Sequence, residues 1–286
     1  MGGKIMKKRI AWMLAGVLAL SCLVTGCGNK KEETKAGTIA VEETAEASGE
    51  RTTFTVGFDA SFPPYGYQEN GEYVGFDLDL AQEVCDRNGW ELIKTPIDWD
   101  AKDMELNSGA IDCIWNGFTI NGREDAYTWT EPYIDNTQVF AVKKDGDITA
   151  AADLAGKNVL VQADSSALAA LKDEENAEIK ALADSFASLT EVPDYESALM
   201  ELEAGSADAV AMDEGVAKDK QVKNDNIAIL DDIISKEQYG IGFKLGNTEL
   251  RDQVWKTLLE MEADGTIDEI AAKYPSINVE NICIGK

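Results

Sequence analysis

The chain predicts an α/β protein of two lobes with a ligand cleft between them. Three observations point to it. The first is an internal repeat 96 positions apart: Asp98-Trp99-Asp100, Met104-Glu105-Leu106, Gly109, Asp112 and Ile114 match Asp194-Tyr195-Glu196, Met200-Glu201-Leu202, Gly205, Asp208 and Val210 without a gap. The second is the content of each copy, which reads as a polar N-cap (Asp98 or Asp194), a short helix, a Gly stop and a buried strand, Ile111 to Trp115 or Ala207 to Met212. The third is length. About 236 residues remain after an atypical amino terminus, room for two modest domains with a core each. In open α/β sheets ligands sit beyond the carboxyl ends of the strands, so Asn116-Gly117-Phe118-Thr119 and Met212-Asp213-Glu214 are expected to face the cleft.

The elements follow in order. Lys4, Lys7, Lys8 and Arg9 precede an apolar run from Ile10 to Val24 that ends in Leu23-Val24-Thr25-Gly26-Cys27, the pattern of a signal peptide with a lipobox. Residues 1–26 are therefore expected to be removed. Cys27 is the expected lipidation site, carrying a diacylglycerol and a palmitate that anchor the protein to the outer face of the cell membrane. Residues 27–50 have no periodic apolar pattern and read as a flexible tether. Alternation of Phe54, Val56 and Phe58 predicts a first strand ending at Asp59, followed by a turn-rich loop over 60–67. Phe76, Leu80 and Val84 share one face of a helix from Phe76 to Asn88, stopped by Gly89. A strand at Leu92 to Ile97, the first repeat copy and a strand at Thr137 to Val142 complete this part, and the charged turn 143–147 is where the chain is expected to cross over.

The second lobe is expected over 143–238. It holds a strand at Asn158 to Val161, a loop at Gln162-Ala163-Asp164-Ser165-Ser166, a helix, a strand at Leu189 to Val192 and the second repeat copy. The chain then returns near Lys236 to Gly240. A strand at Tyr239 to Phe243 and a helix carrying Leu250, Val254, Leu258 and Met261 complete the first lobe, which thus comprises 51–142 and 239–286.

Composition removes several function classes. There are 26 Lys and Arg against 53 Asp and Glu; without the four signal cations 22 remain and the net charge is −31, so nucleic acid and anionic lipid headgroups are repelled. Histidine is absent, which excludes Ser-His-Asp and Cys-His catalysis and His-ligated zinc. Neither metal nor cofactor is expected. Beyond Cys22 and Cys27 the cysteines are Cys85, Cys113 and Cys283; Cys113 lies in an apolar strand, so a Cys85–Cys283 bridge is the expectation, although spacing does not assign connectivity.

Over residues 52–275 the chain resembles the polar-amino-acid-binding family of solute-binding proteins that feed ABC importers. The resemblance is carried by Asp59 to Phe62 with Pro64, Gly75-Phe76-Asp77-Leu78-Asp79-Leu80, Asp112 to Ile120 with Arg123, Trp129-Thr130-Glu131-Pro132-Tyr133, Leu154-Ala155-Gly156-Lys157, Ala207-Asp208-Ala209-Val210 with Asp213, and Glu237-Gln238-Tyr239-Gly240-Ile241-Gly242-Phe243. It implies a monomer with the two-lobed periplasmic-binding-protein fold, joined by a two-strand hinge, that closes on a free polar L-amino acid and presents it to a membrane permease. Site roles follow from it. Arg123, Gly117 and Thr119 are expected to hold the α-carboxylate, for which a planar bidentate donor is suited, although the loop leading to Arg123 is one residue shorter than is usual in the family. Ser165 and Ser166 are further donors. Asp213 matches the partner of the α-ammonium, Phe62 and Trp99 the aromatic pair that flanks the ligand side chain, and Asp59 the contact to its distal end, which favours a basic amino acid, glutamine or cystine. Asn116 and Gln162 are expected polar lining; Trp115 and Tyr65 are expected to pack. The competing classes are an enzyme on the same fold, a dehydratase or cell-wall lyase, which needs an acid–base pair in the cleft, and a receptor's sensing domain, disfavoured because no further span or module follows Lys286.

Overall fold

A computed structural model of the protein describes residues 51–286; the expected signal peptide, Cys27 and the tether lie outside them. The elements are β1 Thr53–Phe58, β2 Ser61–Phe62, β3 Gly66–Glu69, β4 Glu72–Val74, α1 Phe76–Asn88, β5 Glu91–Pro96, α2 Lys102–Ser108, β6 Cys113–Thr119, β7 Thr128–Trp129 and β8 Ile134–Lys143. They continue with β9 Asn158–Gln162, α3 Ser166–Lys172, α4 Ala177–Asp184, β10 Ser188–Val192, α5 Tyr195–Ala204, β11 Ala209–Asp213, α6 Glu214–Lys223, β12 Ile227–Phe243, α7 Thr248–Asp264 and α8 Thr266–Ala271.

The main sheet has the order β10-β9-β11-β8-β12-β6-β1-β5, with β7 on β12. Two parallel triples, β5-β1-β6 and β10-β9-β11, are the sheets of the two lobes. Between them β8 and β12 run antiparallel to each other and to their outer neighbours, so two long strands join the lobes. Parallel strands need helical crossovers, and those helices bury the sheet faces. On α1 the predicted stripe of Phe76, Leu80 and Val84 is fully buried, each side chain contributing about 1.5–3 kcal/mol relative to exposure. The helix ends at Gly89 in the left-handed conformation.

The repeat copies fold alike. Each helix ends on a left-handed glycine, Gly109 or Gly205, and leads into the strand beside the joining pair. The repeated aspartates make the same clamp: Asp112 Oδ2 accepts from the Thr55 N–H of β1, and Asp208 Oδ2 from the Asn158 N–H of β9, at 2.8 Å each. That explains why Asp recurs just before each strand. The caps differ. Asp194 accepts from the Ser197 N–H at 2.7 Å as expected, whereas Asp98 makes no capping bond, because its copy opens with a 3₁₀ turn over Trp99–Ala101.

Three further expectations are corrected. The strand expected to stop at Trp115 runs to Thr119, because β12 pairs with its outer half, Gly240 opposite Phe118 and Tyr239 opposite Thr119. The loop expected over 60–67 contains β2 and part of β3, which with β4 form a small antiparallel sheet. The Cys85–Cys283 bridge is absent, and all three described cysteines are free. Cys85 faces the core from α1, beside Cys113, and burial pushes its thiol up to about 12. Cys283 instead lies against the start of β8, its N–H donating to the Tyr133 carbonyl.

Candidate functional site

Where the two lobes face each other, several side-chain contacts cross between them, and three of these involve residues singled out in the sequence. Gln162 Nε2, at the end of β9, donates to Asp59 Oδ2 at 2.7 Å. The Thr119 and Ser166 hydroxyls lie 3.2 Å apart. Arg123 reaches from the end of the β6 segment to donate to the Asp164 carbonyl at 3.0 Å and to its own Thr119 carbonyl at 3.4 Å, with its guanidinium 5.4 Å from the Phe118 ring centre. A fourth contact was not foreseen. Lys102, which is 1% exposed, pairs its ammonium with Asp164 and lies 5.1 Å from the Trp99 ring centre. A lysine early in an amphipathic helix looks like a solvated charge, and only the facing lobe makes it a buried one.

Asp59 is held in place before any ligand contact is considered. Its N–H donates to Asn116 Oδ1 and its Oδ1 accepts from the Ser61 N–H, both at 2.8 Å. Burial raises its pKa, against the lowering effect of the bonds from Ser61 and Gln162. Beside it opens a cavity of about 690 Å³ between the lobes, lined by Asp59, Trp99, Ala163 and Pro193, with the carboxylates of Asp98, Asp100, Glu105 and Asp194 around it. This volume is in the range of small-molecule sites. No Lys or Arg lines it.

The expected aromatic pair is not brought face to face. Trp99 lines the cavity and stacks edge-on against Phe118, centroids 5.4 Å apart. Phe62 is buried between Tyr65 at 5.6 Å and Tyr195 of the other lobe at 5.8 Å. Tyr65 and Trp115 are buried packing residues, as expected. Gly117 has φ of +56°, and a Cβ there would stand 2.9 Å from both the Phe62 and Tyr239 rings. Its N–H, expected to face a ligand, is donated to Asp77 Oδ2 at 2.7 Å and lies 3.1 Å from the Tyr133 hydroxyl. Asp77 is fully buried, and desolvation pushes its pKa up to about 7. The Ser165 hydroxyl caps α3, accepting from the Leu168 N–H at 3.2 Å.

Asp213 closes β11 and is 4% exposed. Its Oδ1 accepts from Asn136 at 2.9 Å, Gln138 at 2.6 Å and the Tyr239 hydroxyl at 2.5 Å, and its Oδ2 from the Tyr195 hydroxyl at 3.0 Å. Desolvation first, and the charge of Glu237 second, push its pKa up to about 7. Glu237, itself 5% exposed, accepts from the same two amides at 2.8 and 2.7 Å. Register explains the sharing, since Asn136 lies opposite Glu237 and Gln138 opposite Asp213. Asn136, Gln138 and Glu237 were missed as site residues. The available signal was polar residues at period two, 136 and 138, on the core-facing side of a strand whose next inward residue is Phe140. Among the described residues, no group of three or more His, Cys, Asp or Glu side chains is arranged to hold a metal ion.

Comparison with known proteins places these contacts in context. The family model for bacterial extracellular solute-binding proteins, family 3, matches residues 54–276. The L-cystine-binding protein TcyJ of Escherichia coli K12 is 29% identical over 266 residues, covering 91% of this chain and 94% of that protein. A substrate-binding protein of an ABC uptake transporter from Streptococcus pneumoniae, solved with bound histidine, superposes with a TM-score of 0.74 at 30% identity, covering 79% of this chain and 94% of the other. An ancestral arginine-binding protein solved with arginine gives 0.70 at 36% identity, covering 79% of this chain and all of the other.

Proposed function

The chain belongs to the bacterial extracellular solute-binding proteins of family 3, and from that premise we propose that it captures a free cationic L-amino acid between its lobes and delivers it to an ABC permease. The observation that carries the reading is the cavity beside Asp59, ringed by carboxylates and lined by no cation. A basic side chain entering it meets a wall of carboxylates, Asp59 with Asp98, Asp100, Glu105 and Asp194. Glutamine brings no net side-chain charge to them, and the distal end of cystine is a zwitterion whose carboxylate offsets the attraction of its ammonium.

The remaining roles follow from the cross-lobe contacts. Arg123 and Thr119 take the α-carboxylate, Arg123 exchanging two backbone carbonyls for a charged, bidentate partner. Asp213 takes the α-ammonium, with Ser166 as a nearby hydroxyl. Asp59, held by Gln162, and Trp99 meet the side chain. Lobe 1 comprises 51–142 and 239–286 and lobe 2 comprises 143–238, with closure bending β8 and β12, the two strands that join them. No bond in the ligand is broken. Lipidated Cys27 and the tether hold the loaded protein beside its permease as a monomer.

A thermal-shift screen of the twenty amino acids plus ornithine and cystine tests this reading. Ligand at a hundred times its dissociation constant stabilises the folded state by about 2.7 kcal/mol. Arginine, lysine or ornithine is expected to give the largest shift. A melt that no amino acid moves would refute the proposal.

A further inference from the structure

The charge between the lobes is anchored by two buried carboxylates, of which amino-acid recognition as proposed above uses only one. Glu237 is the second. It sits on β12, tied to Asp213 through the side-chain amides of Asn136 and Gln138, and neither carboxylate forms an ion pair with a described residue. The hydrogen count around Gln138 is one short. Its Nε2 carries two hydrogens yet lies within 2.9 Å of three acceptors: Asp213 Oδ1 at 2.6 Å, Glu237 Oε1 at 2.7 Å and Ser166 Oγ at 2.9 Å. Two buried anions bridged by neutral donors repel each other, and a proton or a cation relieves that repulsion.

We propose that Asp213, buried and tied to Glu237 through two shared amides, holds a proton and surrenders it when the ligand's α-ammonium arrives, so that amino-acid binding is coupled to release of a proton. This deepens the function proposed above and rests on it. A place for the proton exists. The Tyr195 hydroxyl lies 3.0 Å from Asp213 Oδ2, and a hydroxyl that donates to the carboxylate accepts from the protonated carboxyl. An arriving ammonium brings three hydrogens and a positive charge, and the displaced proton leaves to solvent.

The surroundings supply no competing cation. Facing the pair are Tyr239 on β12, Tyr195 on α5, and Tyr65, whose hydroxyl feels both carboxylates and Asp77. On α6 the charges of Glu214 and Lys218 are paired with each other at 2.8 Å. Asp77 is the other buried carboxyl that titrates near neutrality, and a substitution at Glu237 separates the two.

The test is calorimetric titration of the full chain, purified in detergent, with L-arginine in buffers of differing ionisation enthalpy. With the Asp213 midpoint near 7, about 0.9 proton is released per arginine at pH 6.0 and almost none at pH 8.5, and affinity falls roughly 25-fold between pH 7.5 and 5.5. In Glu237→Gln, which keeps an acceptor for both amides and removes one buried anion, release at pH 6.0 is smaller and the affinity varies less steeply over that range, burial of Asp213 retaining the remainder. Binding without proton release in the wild-type chain, or undiminished release in Glu237→Gln, overturns the inference and leaves the function standing. Should the variant fail to fold, the two wild-type measurements at pH 6.0 and 8.5 decide alone. Absence of binding by any amino acid overturns both.

Discussion

Replacing Arg123 by Ala separates recognition from folding. In the structure its guanidinium donates to two backbone carbonyls, one of them at a long 3.4 Å, and lies over one aromatic ring. Neutral-acceptor bonds at a partly exposed site contribute about 0.5–1.5 kcal/mol net, and the cation–π contact about 0.5–1 kcal/mol. Melting without ligand is therefore expected to shift by only a few degrees. Binding responds differently. Removing the planar donor leaves the ligand's carboxylate buried and unpaired, a loss of about 2–5 kcal/mol, or roughly 30- to 5,000-fold in affinity. Arg123→Lys should recover little of this, since an ammonium cannot reproduce the fork. Calorimetric titration alongside ligand-free melting is the assay. Near-native affinity in Arg123→Ala would remove this residue from the site, and the shortened loop before it would be the reason.

Other outcomes are equally specific. Gly117→Ala forces a Cβ into the Phe62 and Tyr239 rings at a φ of +56°, so chemical denaturation should show a loss of about 2–4 kcal/mol. Asp77 has a folded pKa raised to about 7 against an ordinary value near 4 when unfolded. The unfolded chain therefore ionises first as pH rises, and Asp77 removes stability between about pH 4 and 7, at up to about 1.4 kcal/mol per pH unit. Asp77→Asn should reduce the slope in denaturation curves taken across the range by its own share, leaving that of Asp213, whose pKa is raised likewise. Cys27→Ala should release the protein from membranes and impair import of radiolabelled amino acid by cells while leaving affinity unchanged; lost affinity in that variant would show that residues 28–50 take part in the fold.

Much of this architecture is written locally in the chain. The ends of α1 are legible because a three-and-four spacing of apolar residues runs straight into Asn88-Gly89, and those signals need no tertiary partner. The repeat is legible because each copy must end its helix on a left-handed glycine and clamp its strand to a neighbour through one aspartate. What escapes is what the opposite lobe or the joining strands impose. β12 runs 17 residues through Asp231-Asp232 and Lys236-Glu237, a polarity that reads as loop until β8 pairs with it. Lys102 and Glu237 look like surface charges in a chain with 53 carboxylates, and only long-range packing buries them. Asp59, Thr119, Arg123, Gln162, Ser166 and Asp213 were reached through order and motif. Contacts 41 to 103 residues apart then engage five of them across the lobes.

The most direct test of the central claim is a calorimetric titration of the protein with L-arginine, repeated with L-glutamine and L-cystine and at two ionic strengths. Arginine should bind with one-to-one stoichiometry and at least about tenfold more tightly than the other two, since the cavity beside Asp59 rewards positive charge. Salt should weaken arginine binding more than glutamine binding. Equal or tighter binding of glutamine or cystine, insensitive to salt, would contradict the reading that the carboxylates around that cavity select the ligand.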